Sequence, residues 1–135
     1  MDAALEQLVW NRAARRCEYC QVSAETSLLP FQIDHIIAEK HGGLSTPENL
    51  ALSCERCNSH KGPNITGYLD GQHVPLFNPR QDNWTDHFEW AGPTLAGKTA
   101  VGKVTIAVLG INLPHRVSLR AALMDEGIFP SLETS

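Results

Sequence analysis

Residues 17–62, CEYCQVSAETSLLPFQIDHIIAEKHGGLSTPENLALSCERCNSHKG, decide the fold. The segment opens on one cysteine pair, Cys17-Glu18-Tyr19-Cys20, and nearly closes on another, Cys54-Glu55-Arg56-Cys57. Two residues between cysteines let a tight turn aim both sulfurs at one point, and two such knuckles supply four thiolates for a tetrahedral zinc ion. Thirty-three residues separate the pairs, so a small folded unit is expected between them. Two disulfides or one redox pair are the other readings. Disulfides need an oxidising compartment. The opening MDAALEQLVWNRAARRC puts its arginines after the apolar residues and holds no long apolar run, unlike an export signal. A redox pair needs a thioredoxin-like context that the sequence does not offer. Cys17, Cys20, Cys54 and Cys57 are therefore read as ligands of a structural zinc, and the protein as cytoplasmic.

Between the knuckles, Leu28 to Ile37 reads as a strand with Phe31, Ile33, His35 and Ile37 on alternate positions. Lys40-His41-Gly42-Gly43 reads as loop and Ser45 to Asn49 as a short turn, with proline preset for it. Leu50-Ala51-Leu52 returns as a second strand. A helix starting near the second knuckle is expected to run to Lys61, where Gly62-Pro63 stops it. Upstream, Leu5, Leu8, Val9 and Ala13 recur at helical spacing over 3–16, with Asp2 as N-cap. Arg12, Arg15 and Arg16 near that helix end suit its dipole or a phosphate.

The 135 residues, 42% of them hydrophobic, suffice for a single domain with a real core. Within it, 17–62 is expected to be a finger and 63–135 an elaboration packed on it. In that second part His87 to Trp90 and Thr94 to Ala96 are expected to pair as strands. Helices are expected over 101–109 and from Arg116 to Glu126, ended by Gly127. Trp84, Phe88 and Trp90 read as core. The longest apolar stretch, Val104 to Ile111, is too short to span a bilayer. Eleven Lys and Arg against fifteen Asp and Glu give a formal charge of −4. No strong basic field marks a polyanion partner, so any DNA binding is expected to be weak, salt-sensitive or helped by a protein partner.

The order CEYC (17–20), IDHIIAEKHGG (33–43), ENLALSCERCNSHKG (48–62) resembles the HNH endonuclease family. The resemblance covers about a third of the chain directly and is most like small stand-alone bacterial members. It implies an α+β fold: a ββα-metal finger (HNH, His-Me type) stapled by structural zinc, with an N-terminal helix and a mixed α/β C-terminal part. It also implies a DNA endonuclease, acting on double-stranded DNA and leaving 5′-phosphate and 3′-hydroxyl ends. Asn49 corresponds to the family's central asparagine, which holds the loop and hydrogen-bonds near the histidine backbone.

Phosphodiester hydrolysis needs an activated water, in-line geometry and stabilisation of the departing oxygen. His35 is the expected general base, since imidazole accepts a proton at neutral pH. Asp34 and Asn58 offer hard oxygen ligands for Mg²⁺ or Mn²⁺, which would steady the leaving 3′-oxygen. Asparagine at position 58, where the family often has histidine, is a weaker ligand. Arg56, His60 and Lys61 are candidate phosphate contacts. Neighbours in a regular strand point to opposite faces, so Asp34 and His35 can serve one phosphate only if the strand ends or bends there. The rival from another class is a non-catalytic zinc module that binds nucleic acid or protein through the same finger.

Overall fold

The computed structural model describes residues 1–130. Helix α1, Ala3–Arg12, starts where the Asp2 carboxylate accepts the Leu5 amide at 2.8 Å. It stops four residues short of the expected end because Ala14 and Arg15 take left-handed φ values of 53° and 59°. That reversal feeds the chain straight into the first knuckle, where Arg16 bridges Ser23.

Strand β1, Gln32–His35, pairs antiparallel with β2, Leu50–Ser53, placing Asp34 opposite Ala51 and His35 opposite Leu50. The expected strand from Leu28 is shorter than its alternation implied: Leu28 and Leu29 are exposed, outside the pairing. Strand β2 is buried throughout, so both its faces are covered. Helix α2, Glu55–Lys61, begins directly on the second knuckle with Cys54 as N-cap and ends at Gly62. Two antiparallel strands followed by a helix make the ββα unit, and the mixed α and β architecture with a clustered set of cysteines is the one expected.

Beyond it, β3 (Thr66–Leu69) and β4 (Gln72–Pro75) form a hairpin that sequence patterning did not anticipate as strands. Its turn is Asp70-Gly71, with φ of 51° and 79° at the two central residues, the conformation that favours this dipeptide in a two-residue hairpin loop. A short helix α3, Trp84–His87, leads into β5 (Phe88–Ala91), which pairs with β6 (Thr94–Gly97). Helices α4 (Ala100–Leu109) and α5 (Pro114–Asp125) close the chain.

One hydrophobic core draws on both parts. Val9, Tyr19, Leu50 and Leu52 from the N-terminal region join Phe77, Phe88, Leu95, Leu109 and Ile111. Helix α4 packs on α2, on the β3–β4 hairpin and on β6. Buried Thr105 fixes this arrangement: its Oγ1 accepts the Phe77 amide at 2.8 Å while donating to the Val101 carbonyl. Trp84 and Trp90 are partly buried; Trp84 packs at a tilt against both Phe88 and Trp90, and Trp90 packs edge-on against Phe129. Among the described residues, no helix is long and apolar enough to cross a membrane.

Candidate functional site: a thiol cluster beside a strand end

The two knuckles converge. The four cysteine sulfurs are buried, free of disulfides and all within 4.8 Å of one another. Cys20 Sγ and Cys54 Sγ stand 3.7 Å apart, close to the edge of about 3.8 Å that Zn–S bonds of about 2.3 Å give a tetrahedron. Each knuckle is closed the same way: the Cys20 amide donates to Cys17 Sγ and the Cys57 amide to Cys54 Sγ, both at 3.4 Å. The donor set and its spacing fit a zinc ion. Among the described residues this is the one grouping of three or more His, Cys, Asp or Glu donors that meets such spacing.

Tyr19, inside the first knuckle, links this cluster to the strand end. It is fully buried, and its hydroxyl donates to Asp34 Oδ2 at 2.7 Å. Burial first, and then the Asp34 charge, push the tyrosine's own ionisation well above the ordinary phenol range, so Tyr19 stays a donor. Asp34 is 5% exposed. The Lys61 ammonium stands 3.1 Å from its Oδ2 and 3.3 Å from its Oδ1. Burial raises the Asp34 pKa above the usual carboxylate value, and Lys61 and Tyr19 pull against that rise.

Lys61 is the residue whose place departs most from expectation. Instead of offering its ammonium to a phosphate, it is 1% exposed and also donates to the carbonyls of His35 and Ile36, at 3.2 and 3.1 Å. The physical reason is that an ammonium tolerates burial when a carboxylate and two carbonyls replace its water. Lys61 thereby ties the C-terminal end of α2 to the end of β1.

Strand β1 stops at His35, the place where it must end or bend if Asp34 and His35 are to serve one phosphate. Asp34, His35 and Asn58 line one open hollow of about 370 Å³, with Ile33, Glu39 and Lys40 also on its wall. His35 Nε2 lies 2.8 Å from Ser45 Oγ and 3.9 Å from the Glu39 carboxylate. Neither partner was singled out in the sequence. The fold brings Ser45 to the imidazole across the loop from a position ten residues on.

Asn49 does not line the hollow. Its Oδ1 accepts the Ile37 amide at 2.8 Å, and its Nδ2 donates to the carbonyls of Ile37 and Leu44 at 3.0 and 2.9 Å. It clamps the loop that follows His35. Gly43 is required inside that clamp: a Cβ there would stand 1.7 Å from the Ile37 carbonyl oxygen and 2.8 Å from Asn49 Nδ2. The Ile36 amide adds a bond to the Asn49 carbonyl at 2.8 Å.

The other expected phosphate contacts do not border the hollow either. Arg56 is exposed, beside Glu55, and lines a separate groove formed with Leu28, Leu29 and Leu119. His60 is exposed next to Gly110 at the end of α4. The basic side chain on the hollow itself is Lys40. Arg12 donates to the Leu50 carbonyl, and Arg80, paired with Glu18, has its pKa lowered to about 10 by burial and by neighbouring Arg12.

The comparisons agree with this geometry. Residues 17–64 match the family model of HNH endonucleases. The Septu protein PtuB of Bacillus thuringiensis is 29% identical over 104 residues, covering 76% of this chain and 38% of that protein. The chain thus spans well under half the length of that relative. No solved structure matches. The finger at 17–64, with its four clustered cysteines beside the Asp34–His35 strand end, is similar to the domain that the HNH endonuclease family model describes.

Proposed function

We propose that the protein is a metal-dependent DNA endonuclease whose reacting centre is the hollow at the end of β1. The observation that carries this reading is the common lining of that hollow by Asp34, His35 and Asn58. Two oxygen donors and one imidazole there meet the requirements of phosphodiester hydrolysis.

His35 is the general base. In the tautomer whose Nε2–H donates to Ser45 Oγ, the Nδ1 lone pair is left to accept a proton from water. Asn49 holds the loop carrying Ser45 and so aims the ring; it is a positioning residue. Asp34 and Asn58 would hold a Mg²⁺ or Mn²⁺. A carboxylate has about four lone-pair sites, so the bonds from Tyr19 and Lys61 leave capacity for a cation. Such an ion supplies Lewis-acid stabilisation of the phosphate and the departing 3′-oxygen. Lys61 and Tyr19 oppose the rise that burial imposes on the Asp34 pKa. Lys40 is placed to meet a phosphate at the rim.

The four cysteines hold a structural zinc that staples the finger. With the overall charge of −4, steering of a polyanion is weak, and tight DNA binding would fall to a protein partner. Cleavage of supercoiled plasmid by purified protein with Mg²⁺ or Mn²⁺ tests the reading. Wild type is expected to nick or linearise it and His35→Ala to lose that activity at unchanged zinc content. Equal products from both proteins, or none from either, would overturn it and leave the zinc-module reading.

A further inference from the structure

We propose that Arg116 is the charge partner of the thiolate cluster, so that loading of the metal governs the docking of α5 on the finger. This rests on the structural-zinc reading and is independent of the nuclease chemistry.

Arg116 lies in the first turn of α5, far from the knuckles in sequence, yet its guanidinium reaches into the cluster. Its Nη2 is 3.0 Å from Cys57 Sγ and 3.9 Å from Cys54 Sγ, while Nη1 donates to the Leu109 carbonyl at 2.7 Å. The side chain is 5% exposed. One residue therefore joins the second knuckle, the end of α4 and α5. Arg120, one turn later, is also buried but has other partners: it donates to the carbonyls of Pro93 and Ile111, both at 2.8 Å, and to Asn112 Oδ1 at 3.3 Å, and its guanidinium lies over the Trp90 ring. Of these two inward arginines, Arg116 alone meets the sulfurs.

The electrostatics give that contact its meaning. Four thiolates at −1 each and one divalent ion at +2 leave a formal surplus of −2 inside the protein. A guanidinium in hydrogen-bond reach offsets half of it and orients the Cys57 sulfur, the role that outer partners play at metal sites. The dependence runs both ways. Burying a cation is costly unless an anion faces it. With the ion gone, nothing holds four sulfurs together, and the guanidinium faces no fixed anion. Release of α5 returns it to water.

The test uses the full chain. Zinc affinity is measured by competition with a chromophoric chelator for wild type, Arg116→Met, Arg116→Lys and Arg120→Met. Hydrogen exchange is followed across 114–125 in wild type before and after metal stripping. Arg116→Met is expected to bind zinc about ten- to a hundredfold more weakly, Arg116→Lys to recover part of that loss, and Arg120→Met to stay near wild type. Stripping wild type is expected to abolish protection across α5. Zinc affinity of Arg116→Met within twofold of wild type, or α5 protection that survives stripping, would overturn the proposal. Should Arg116→Met not fold, the stripping experiment on wild type decides alone. Wild type that takes up no zinc overturns the metal reading itself, whereas zinc uptake with an indifferent α5 sinks only this inference.

Discussion

The Tyr19 hydroxyl donates to Asp34 Oδ2 at 2.7 Å, so a residue inside the first cysteine knuckle grips the carboxylate at the end of β1. The thiol cluster and the hollow share this bond. Tyr19→Phe keeps the ring and its edge-on contact with Phe77 while removing the donor. It should cost about 1.5–3 kcal/mol, the range for a hydrogen bond to a charged group. It should also lower plasmid cleavage with zinc content unchanged. Denaturant melts and metal analysis on the same preparation check both.

Lys61 is expected to be among the costliest single positions in the finger. Lys61→Met leaves Asp34 buried with no cation, and breaking a buried pair in this way costs about 3–5 kcal/mol. The Asp34 carboxyl, already raised by burial, should titrate higher still in the variant, as read by carboxyl carbon chemical shift. The sign follows from proton binding: a carboxyl with a raised folded pKa holds its proton longer in the folded state. Its contribution is therefore fullest below the unfolded value and is lost as pH rises through the folded one. Lys61→Met should lose more stability than wild type as pH climbs through that window. Parallel curves for the two proteins would contradict the pairing.

The loop clamp makes a sharper steric prediction. Gly43→Ala forces a methyl onto the Ile37 carbonyl and should cost about 1–3 kcal/mol by overpacking. Asn49→Ala removes three hydrogen bonds and should cost about 2–4 kcal/mol at roughly 1 kcal/mol each. Both should speed amide exchange at Ile37 and slow cleavage through misplacement of His35, without altering metal content.

Zinc should be found at one equivalent per chain. Cys57→Ser should lose it together with much of the finger's stability, because gathering the thiolates supplies folding free energy. Far-UV circular dichroism that is unchanged after verified zinc removal would refute this.

How much was legible beforehand follows from which interactions are local. The knuckle spacing, the Asp2 cap, the Gly62 stop and the pairing of β5 with β6 are short-range signals, and the structure carries each of them. The helix expected to Arg16 ends at Arg12 because two residues without glycine's freedom nevertheless reverse the chain, which helical periodicity does not register. The β3–β4 hairpin escaped because neither strand has a fully buried residue, and β4 is exposed except at half-buried Val74; packing on α4, a distant element, supports them. Lys61 and Arg116 show the same limit at the site. Residue type reads as surface charge, whereas each is buried by partners 25 to 62 positions away.

Two indoles report on the finger without any added label. Trp84 Nε1 donates to the Tyr19 carbonyl at 2.8 Å, and Trp90 Nε1 to the Gln21 side chain at 3.2 Å. Both acceptors sit in or beside the first knuckle, so slackening of the knuckle wets both rings at once. Intrinsic fluorescence is thus a built-in optical gauge of knuckle integrity, with emission moving to the red as metal is withdrawn.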